Sequence, residues 1–218
     1  LAHPAIRAET MAADGAHVAK GETILRVEGP AHGILTGERV ALNYLGHLSG
    51  VATATAALVD AVADTGVKIA CTRKTTPGLR AFEKHAVACG GGANHRFGLY
   101  DAVMIKDNHI AASGGAEKAL AAAKAHVGHT VKIEIEVDTL AQLETVLRHG
   151  ADIILLDNMS TEDLRTAVAL TKGAAILEAS GNITAKTVRA VAQTGVDVIS
   201  SGWITHSAPV LDLGLDEA

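Results

Sequence analysis

The chain has 218 residues, 48% of them hydrophobic, and a formal net charge of −5, which is enough for one large domain or a domain with a smaller companion. The acidic balance argues against a general nucleic-acid binder, and no uninterrupted apolar run approaches the ~20 residues of a membrane span. Aromatic residues are only 2%, so the core has to be built from Ala, Val, Leu and Ile, which suits close helix-on-sheet packing. Two cysteines, Cys71 and Cys89, form neither a disulfide framework nor a CxxC motif, and no signal peptide is visible, so a cytoplasmic location is expected. The chain opens without Met and in mid-pattern, as if residues preceded it.

In chain order, residues 16–37 read as short strands and turns: His17 to Gly21, Thr23 to Val27, then Gly29 to Leu35. The glycine spacing resembles the small sandwich of biotinyl and lipoyl carriers, but no Met-Lys-Met tip is present, and a structural module is the preferred reading. From Glu38 to about Asp64 the spacing of Val40, Tyr44, Leu48, Val51, Leu58 and Val62 predicts a helix, interrupted by Gly46 and Gly50. Gly66 then precedes a strand from Val67 to Cys71, a helix covers about Leu79 to Cys89, and an apolar run follows from Ala102 to Ile105.

The second half is more regular. Strand-like runs begin at Val131, Ile153, Ala175 and Asp197, spaced by a constant interval. Between them lie helical stretches that start at Thr139 with Gln142 as a capping box, at Ser160 and at Thr184, with Gly150, Gly173 and Gly195 at their ends. Strand and helix alternating at so short a period predict βα units and a parallel sheet. A barrel and an open doubly wound sheet both fit. No G-x-G-x-x-G follows a strand, and the barrel is preferred, with six clear strands where a full one has eight.

One stretch reverses the overall charge. Residues 71–109 hold six Lys/Arg against three Asp/Glu, interleaved with Gly90, Gly91, Gly92 and Gly98. Cations gathered in this way need counter-charge, and glycines let backbone N–H groups approach a ligand, so an anionic ligand is preferred over a solvated basic face. In a barrel the C-terminal strand ends share one mouth. These ends read Arg73 and Lys74, Lys106, Glu136, Asp157, Ser180 with Gly181, and Ser201 with Gly202, every one of them polar. The last two pairs suit a phosphate, with Asn182 and Trp203 in the same loops, and Glu136 and Asp157 suit Mg²⁺ or sugar hydroxyls. His47, His85, His126, His129 and His149 read as surface or packing residues, whereas His95, His109 and His206 lie in the polar loops.

Arg39 to Asn43, Leu48 to Thr53, Thr72 to Arg80, Gly91 to Arg96, Ile105 to His109, Glu134 to Glu136 and Glu178 to Gly181 together resemble the quinolinate phosphoribosyltransferase family of type II phosphoribosyltransferases, over essentially the whole chain. The Thr72-Arg73-Lys74-Thr75 and Lys106-Asp107-Asn108-His109 motifs are the most specific. The resemblance implies part of an α/β sandwich domain at residues 1–47, then an incomplete, seven-stranded TIM-like α/β barrel at 48–203, with 204–218 returning to the first domain. One departure is Trp203, where the family has alanine in its Ser-Val-Gly-Ala-Leu-Thr-His-Ser stretch.

The implied reaction joins quinolinate and phosphoribosyl pyrophosphate, with Mg²⁺ as cofactor, to give nicotinate mononucleotide, pyrophosphate and CO₂. Lys106, Glu136 and Asp157 are the implied catalytic residues, and Glu136 and Asp157 would hold Mg²⁺ directly or through water. Arg39, Thr72, Arg73, Lys74, His95, Arg96 and Asn108 would bind substrate around them, with Ser180, Gly181, Asn182, Ser201, Gly202, Trp203 and His206 at the 5′-phosphate. A homodimer, or an oligomer built from dimers, is implied, with neither nucleic acid nor membrane as partner. Two alternatives are a related protein of the molybdenum-uptake type, against which Lys106 to His109 speak, and a non-catalytic carrier or scaffold.

Overall fold

The computed structural model describes residues 3–216. Strands β1 (Arg7–Thr10) and β2 (Leu25–Glu28) form an antiparallel pair, with Arg7 opposite Glu28 and Thr10 opposite Leu25. All four residues of β1 are exposed, and Arg7-Ala8-Glu9-Thr10 lacks the apolar alternation that would announce a strand. The strand expected from His17 to Gly21 is instead irregular chain that ends in a turn at Lys20 and Gly21. Its Ala19 N–H donates to the Glu22 carboxylate at 2.8 Å, and Glu22 N–H donates to Ala19 C=O at 3.1 Å.

Helix α1 (Ala31–Val62) starts seven residues before the expected Glu38, directly after Pro30, whose fixed φ of −61° suits a helix start. Gly33, which reads as a turn residue, lies inside this helix, where His3 packs so closely that an added Cβ would come within 2.6 Å of His3 Cβ. Gly46 and Gly50 do not interrupt α1. They admit the C-terminal segment, and a Cβ at Gly50 would meet Pro209 C=O at 2.1 Å. Leu211 N–H donates to Gly46 C=O at 3.0 Å, tying that segment to the helix. At about 1.5 Å per residue α1 runs unbroken for about 48 Å. By length and composition α1 would be long and apolar enough to cross a membrane, with a mean hydropathy of 1.3 over its most apolar window, although no uninterrupted apolar run marks it in the sequence and 39% of that window is buried inside the protein. Its second half buries Val51, Leu58 and Val62 against the sheet domain.

That domain contains β3 (Lys68–Ala70), α2 (Arg80–Cys89), β4 (Val103–Ile105), α3 (Asp107–Ser113), α4 (Ala116–His126), β5 (Ile133–Val137), α5 (Leu140–His149), β6 (Ile153–Asp157), α6 (Thr161–Thr171), β7 (Ile176–Ser180), α7 (Val188–Ala192), β8 (Val198–Ser200) and α8 (Trp203–His206). The six strands are all parallel, in the order β3-β8-β7-β6-β5-β4. First-to-last pairing of β3 with β8 is the mark of a barrel, since an open doubly wound sheet places early strands in its middle. The ring is broken between β3 and β4. There Ala93 alone bridges to Ala70, and that residue stands where a seventh strand would run. The fold is an incomplete TIM-like barrel.

Local chemistry explains the regular half. The Thr139 hydroxyl caps α5 and Gln142 reaches back to the backbone N–H of Thr139, while Gly150 ends the helix in the left-handed region. The Ser160 hydroxyl accepts from Asp163 N–H at the start of α6. The start expected at Thr184 slips to Val188, because the Thr187 hydroxyl accepts from Thr184 N–H and holds a turn there. Along each strand one set of alternate residues, including Ile135, Ile154, Leu156, Leu177 and Ile199, is buried against the helices. The other set points into the barrel, and it is this set that carries the polar residues.

Candidate active site

Strand register decides which polar residues share the barrel interior. Glu136 pairs with Leu155 and Leu155 with Glu178, so these three point the same way. Two residues further toward the mouth, Asp157 pairs with Ser180. By the same two-residue period Lys106 follows Met104, and Met104 pairs with Glu134. Lys106, Glu134, Glu136, Asp157, Glu178, Ser180 and Ser200 therefore line one chamber, open at the C-terminal strand ends.

On one wall Lys106 Nζ donates to Glu136 Oε2. Beside them Asp157 accepts from the Asn158 side-chain amide at 2.6 Å. Glu136 and Asp157 are hard oxygen donors on adjacent strand ends, which fits a Mg²⁺ that keeps several waters and binds substrate phosphates. Asn108 is exposed at the start of α3, whereas His109 is a structural cap, its Nδ1 accepting from Lys106 N–H at 2.9 Å.

The floor holds a cluster in which His95, expected to bind substrate, meets Glu134 and Glu178, for which no role was expected. His95 Nε2 lies 3.1 Å from Glu134 Oε2 and 3.6 Å from Glu178 Oε1, and both carboxylates are buried. Burial pushes the Glu178 carboxyl up to about 7, and the Glu134 charge adds to it, against the pull of His95 and a hydrogen bond from Ser200. Burial alone would depress the imidazole of His95. The Glu134 hydrogen bond and the Glu178 charge outweigh that, so its pKa stands above the ordinary value. Nδ1 of the same ring accepts from Arg96 N–H at 2.8 Å, so both ring nitrogens are engaged within the protein. The signal that could have found this cluster was alternation: Glu134 and Glu178 occupy inward positions of strands whose outward residues are all aliphatic.

Above the floor lie two guanidinium groups. Arg96 Nη1 donates to Ala102 C=O at 3.2 Å, and burial, followed by the charge of Arg73, lowers its pKa. Arg73 Nε is buried and has no hydrogen-bond partner. A buried donor left unpaired costs about 1–3 kcal/mol, and a bound carboxylate would satisfy it.

The opposite wall is made by the last two strand ends. Gly181 has φ of 102°, and a Cβ there would come within 2.1 Å of Asn158 Oδ1, so only glycine fits. The neighbouring Asn182 is also left-handed and donates from its side chain to Asn158 Oδ1 at 3.2 Å. Gly202 lies against the Lys74 and His206 side chains, at 3.0 and 3.1 Å from where its Cβ would be. The Ser201 side chain does not face the chamber. It is buried, with its hydroxyl donating to Ile183 C=O at 2.8 Å. Trp203 is half-buried and packs on the core. The Thr72 hydroxyl accepts from Lys74 N–H at 3.0 Å and shapes the basic turn.

Arg39, like the Ser201 side chain, is not brought to this chamber. It sits early in α1, its side chain 75% exposed beside Glu38, and lines a surface hollow with Asn43 and Leu211.

The chain matches known proteins along nearly its whole length. The family described as "Quinolinate phosphoribosyl transferase, C-terminal domain" matches residues 51–216, and its N-terminal domain counterpart matches residues 1–49. The chain is 49% identical over 203 residues to the probable nicotinate-nucleotide pyrophosphorylase [carboxylating] of Bacillus subtilis, covering 93% of this chain and 70% of that protein. It is 42% identical over 207 residues to the human nicotinate-nucleotide pyrophosphorylase [carboxylating], with the same coverage of each, 93% and 70%. Among solved structures, the nicotinate-nucleotide pyrophosphorylase of Ehrlichia chaffeensis superposes with a TM-score of 0.94 at 43% identity, over 97% of this chain and 77% of that one. With both domains matched in order, and with a barrel mouth that joins paired guanidinium groups to paired carboxylates, the chain belongs to the quinolinate phosphoribosyltransferase family.

Proposed function

We propose that the chain transfers phosphoribosyl from phosphoribosyl pyrophosphate to quinolinate with loss of CO₂, giving nicotinate mononucleotide and pyrophosphate. The observation that carries this reading is the unpaired, buried Nε of Arg73 beside the Arg96 guanidinium, since a dicarboxylate supplies acceptors for both. Arg73, Arg96 and Lys74 hold the quinolinate carboxylates, and His95 sets the Arg96 backbone from behind. The glycine loops at Gly181 and Gly202, with Asn182 and His206, take the 5′-phosphate through backbone N–H groups. Lys106 meets the pyrophosphate. Glu136 and Asp157 take the ribose hydroxyls and Mg²⁺, which when bound neutralises charge on the departing pyrophosphate.

The pyridine nitrogen attacks C1′ while the bond from C1′ to the pyrophosphate oxygen breaks, so positive charge gathers on the ribose. Glu136 and Asp157 stabilise that charge electrostatically, and no covalent nucleophile is needed. The nitrogen is then cationic. The adjacent carboxylate leaves as CO₂, its electron pair remains on the ring carbon next to that nitrogen, and a proton from solvent replaces it.

A head-to-tail dimer is part of this reading, and so is a cytoplasmic location. Arg39 is exposed and away from its own chamber, where it can serve a neighbour's. On the same helix Leu35, Val40 and Tyr44 are exposed, and Tyr44 meets the exposed Phe82 edge-on at 5.9 Å, a surface that a second copy would cover. The test of the reaction is chromatographic. Purified protein should form nicotinate mononucleotide from quinolinate only when phosphoribosyl pyrophosphate and Mg²⁺ are both present, and equal turnover of nicotinic acid would overturn the dicarboxylate assignment.

A further inference from the structure

Helix α2 carries charge where a core helix should be apolar. Arg80, Glu83, Lys84 and Val87 follow the three- and four-residue spacing of one helical face, and Glu83 and Lys84 are 0% and 4% exposed. Glu83 is accounted for by His47 Nε2 at 2.8 Å and by the N–H of Thr76 at 3.1 Å. Lys84 is not paired in this way, since no ion pair among the described residues includes it. Its ammonium donates instead to His95 C=O at 2.7 Å and to Cys71 Sγ at 3.1 Å. The Cys71 thiol donates onward to Asn94 Oδ1 at 3.2 Å, and the Asn94 amide donates back to Lys84 C=O at 3.0 Å. A closed ring of hydrogen bonds thus joins α2, the end of β3 and the loop of residues 93–96.

Arg80 makes a second link between the same two segments. Its guanidinium donates to the Thr75 hydroxyl at 3.0 Å, to Arg73 C=O at 3.4 Å and to Phe97 C=O at 3.1 Å. Each end of each cationic loop is therefore tied to α2. One loop presents Arg73 and the other presents Arg96, and none of these links uses either guanidinium: Arg73 Nε stays without a partner, and Arg96 spends only Nη1, on Ala102 C=O.

We propose that Lys84 and Arg80 are positioning residues that fix the separation of Arg73 and Arg96, and so set the preference of the site for a pyridine dicarboxylate over a monocarboxylate. A burial as costly as that of an unpaired ammonium is offset where the group orders its surroundings and where a doubly anionic ligand arrives nearby. The inference rests on the proposed function and adds to it the residues that set its specificity. Neither residue is expected to touch the substrate.

The test is steady-state kinetics on the full chain carrying Lys84→Met, which keeps an unbranched side chain one atom shorter and removes its charge and donors. KM for quinolinate should rise by about tenfold or more while kcat and KM for phosphoribosyl pyrophosphate change by less than about threefold. Inhibition by nicotinic acid should weaken less than binding of quinolinate, since one carboxylate does not depend on the spacing. Arg80→Gln, at a half-buried position, provides the same comparison should Lys84→Met not fold, and it should show the same selective rise. Unchanged kinetics in a folded variant, or equal rises in both KM values, would overturn the inference. Wild-type protein that fails to turn over quinolinate would instead overturn the proposed function, so the two failures are distinct.

Discussion

Lys106 and Glu136, at the ends of the neighbouring strands β4 and β5, are joined as an ion pair across the mouth of the barrel. The pair satisfies both charges in the free protein, and in the proposed cycle its members part to meet pyrophosphate and ribose. Glu136→Ala and Asp157→Ala should therefore weaken phosphoribosyl pyrophosphate more than quinolinate. The expected loss is about 1.5–3 kcal/mol for each charge-assisted contact, measured by calorimetric titration of each ligand separately.

Arg73→Ala and Arg96→Ala should show the opposite selectivity, weakening quinolinate by a similar ~1.5–3 kcal/mol and leaving phosphoribosyl pyrophosphate nearly untouched. A uniform loss across all four variants and both ligands would mean that the two halves of the chamber are wrongly divided.

Glu178 makes stability depend on pH. Its pKa is raised from an ordinary 4.5 to about 7, so between those values the folded chain holds a proton that the unfolded chain has released. Stability should fall as pH rises through that window, by roughly 3 kcal/mol at most. His95, also raised, acts in the same direction at the upper end. Urea unfolding of Glu178→Gln across the window should give a flatter pH dependence than the parent, and parallel curves would count against this origin.

Gly181 is required on two grounds, its left-handed backbone and the lack of room beside Asn158. Gly181→Ala should cost about 1–3 kcal/mol of stability and should displace the phosphate loop, so that KM for phosphoribosyl pyrophosphate rises. Thermal unfolding and kinetics measured on the same preparation check both effects.

Arg39→Ala and Lys106→Ala should each be inactive alone, and mixing them should restore activity. In a head-to-tail dimer some mixed dimers retain one site with both residues intact. No recovery after confirmed subunit exchange would place Arg39 outside any shared site.

The parts of this protein legible in its sequence were those written in local chemistry. The caps at Thr139 and Ser160, the glycine at 150 and the recurring aliphatic runs announced βα units, because backbone hydrogen bonding and helix ends are satisfied by residues close in the chain. Polar strand ends at Lys106, Glu136, Asp157 and Ser180 were legible because each closes an aliphatic run, and a barrel gathers such ends at one mouth. The early start of α1 was not legible, because Gly33 reads as a turn until His3 is known to pack on it. Nor could the sequence say that the Ser201 hydroxyl turns away to Ile183, that His95 sits between Glu134 and Glu178, or that Lys84 links Cys71 to His95. Those contacts join residues that no local rule relates. Barrel register and the packing of α2 bring them together, and burial then strengthens their electrostatics and makes each unpaired donor costly.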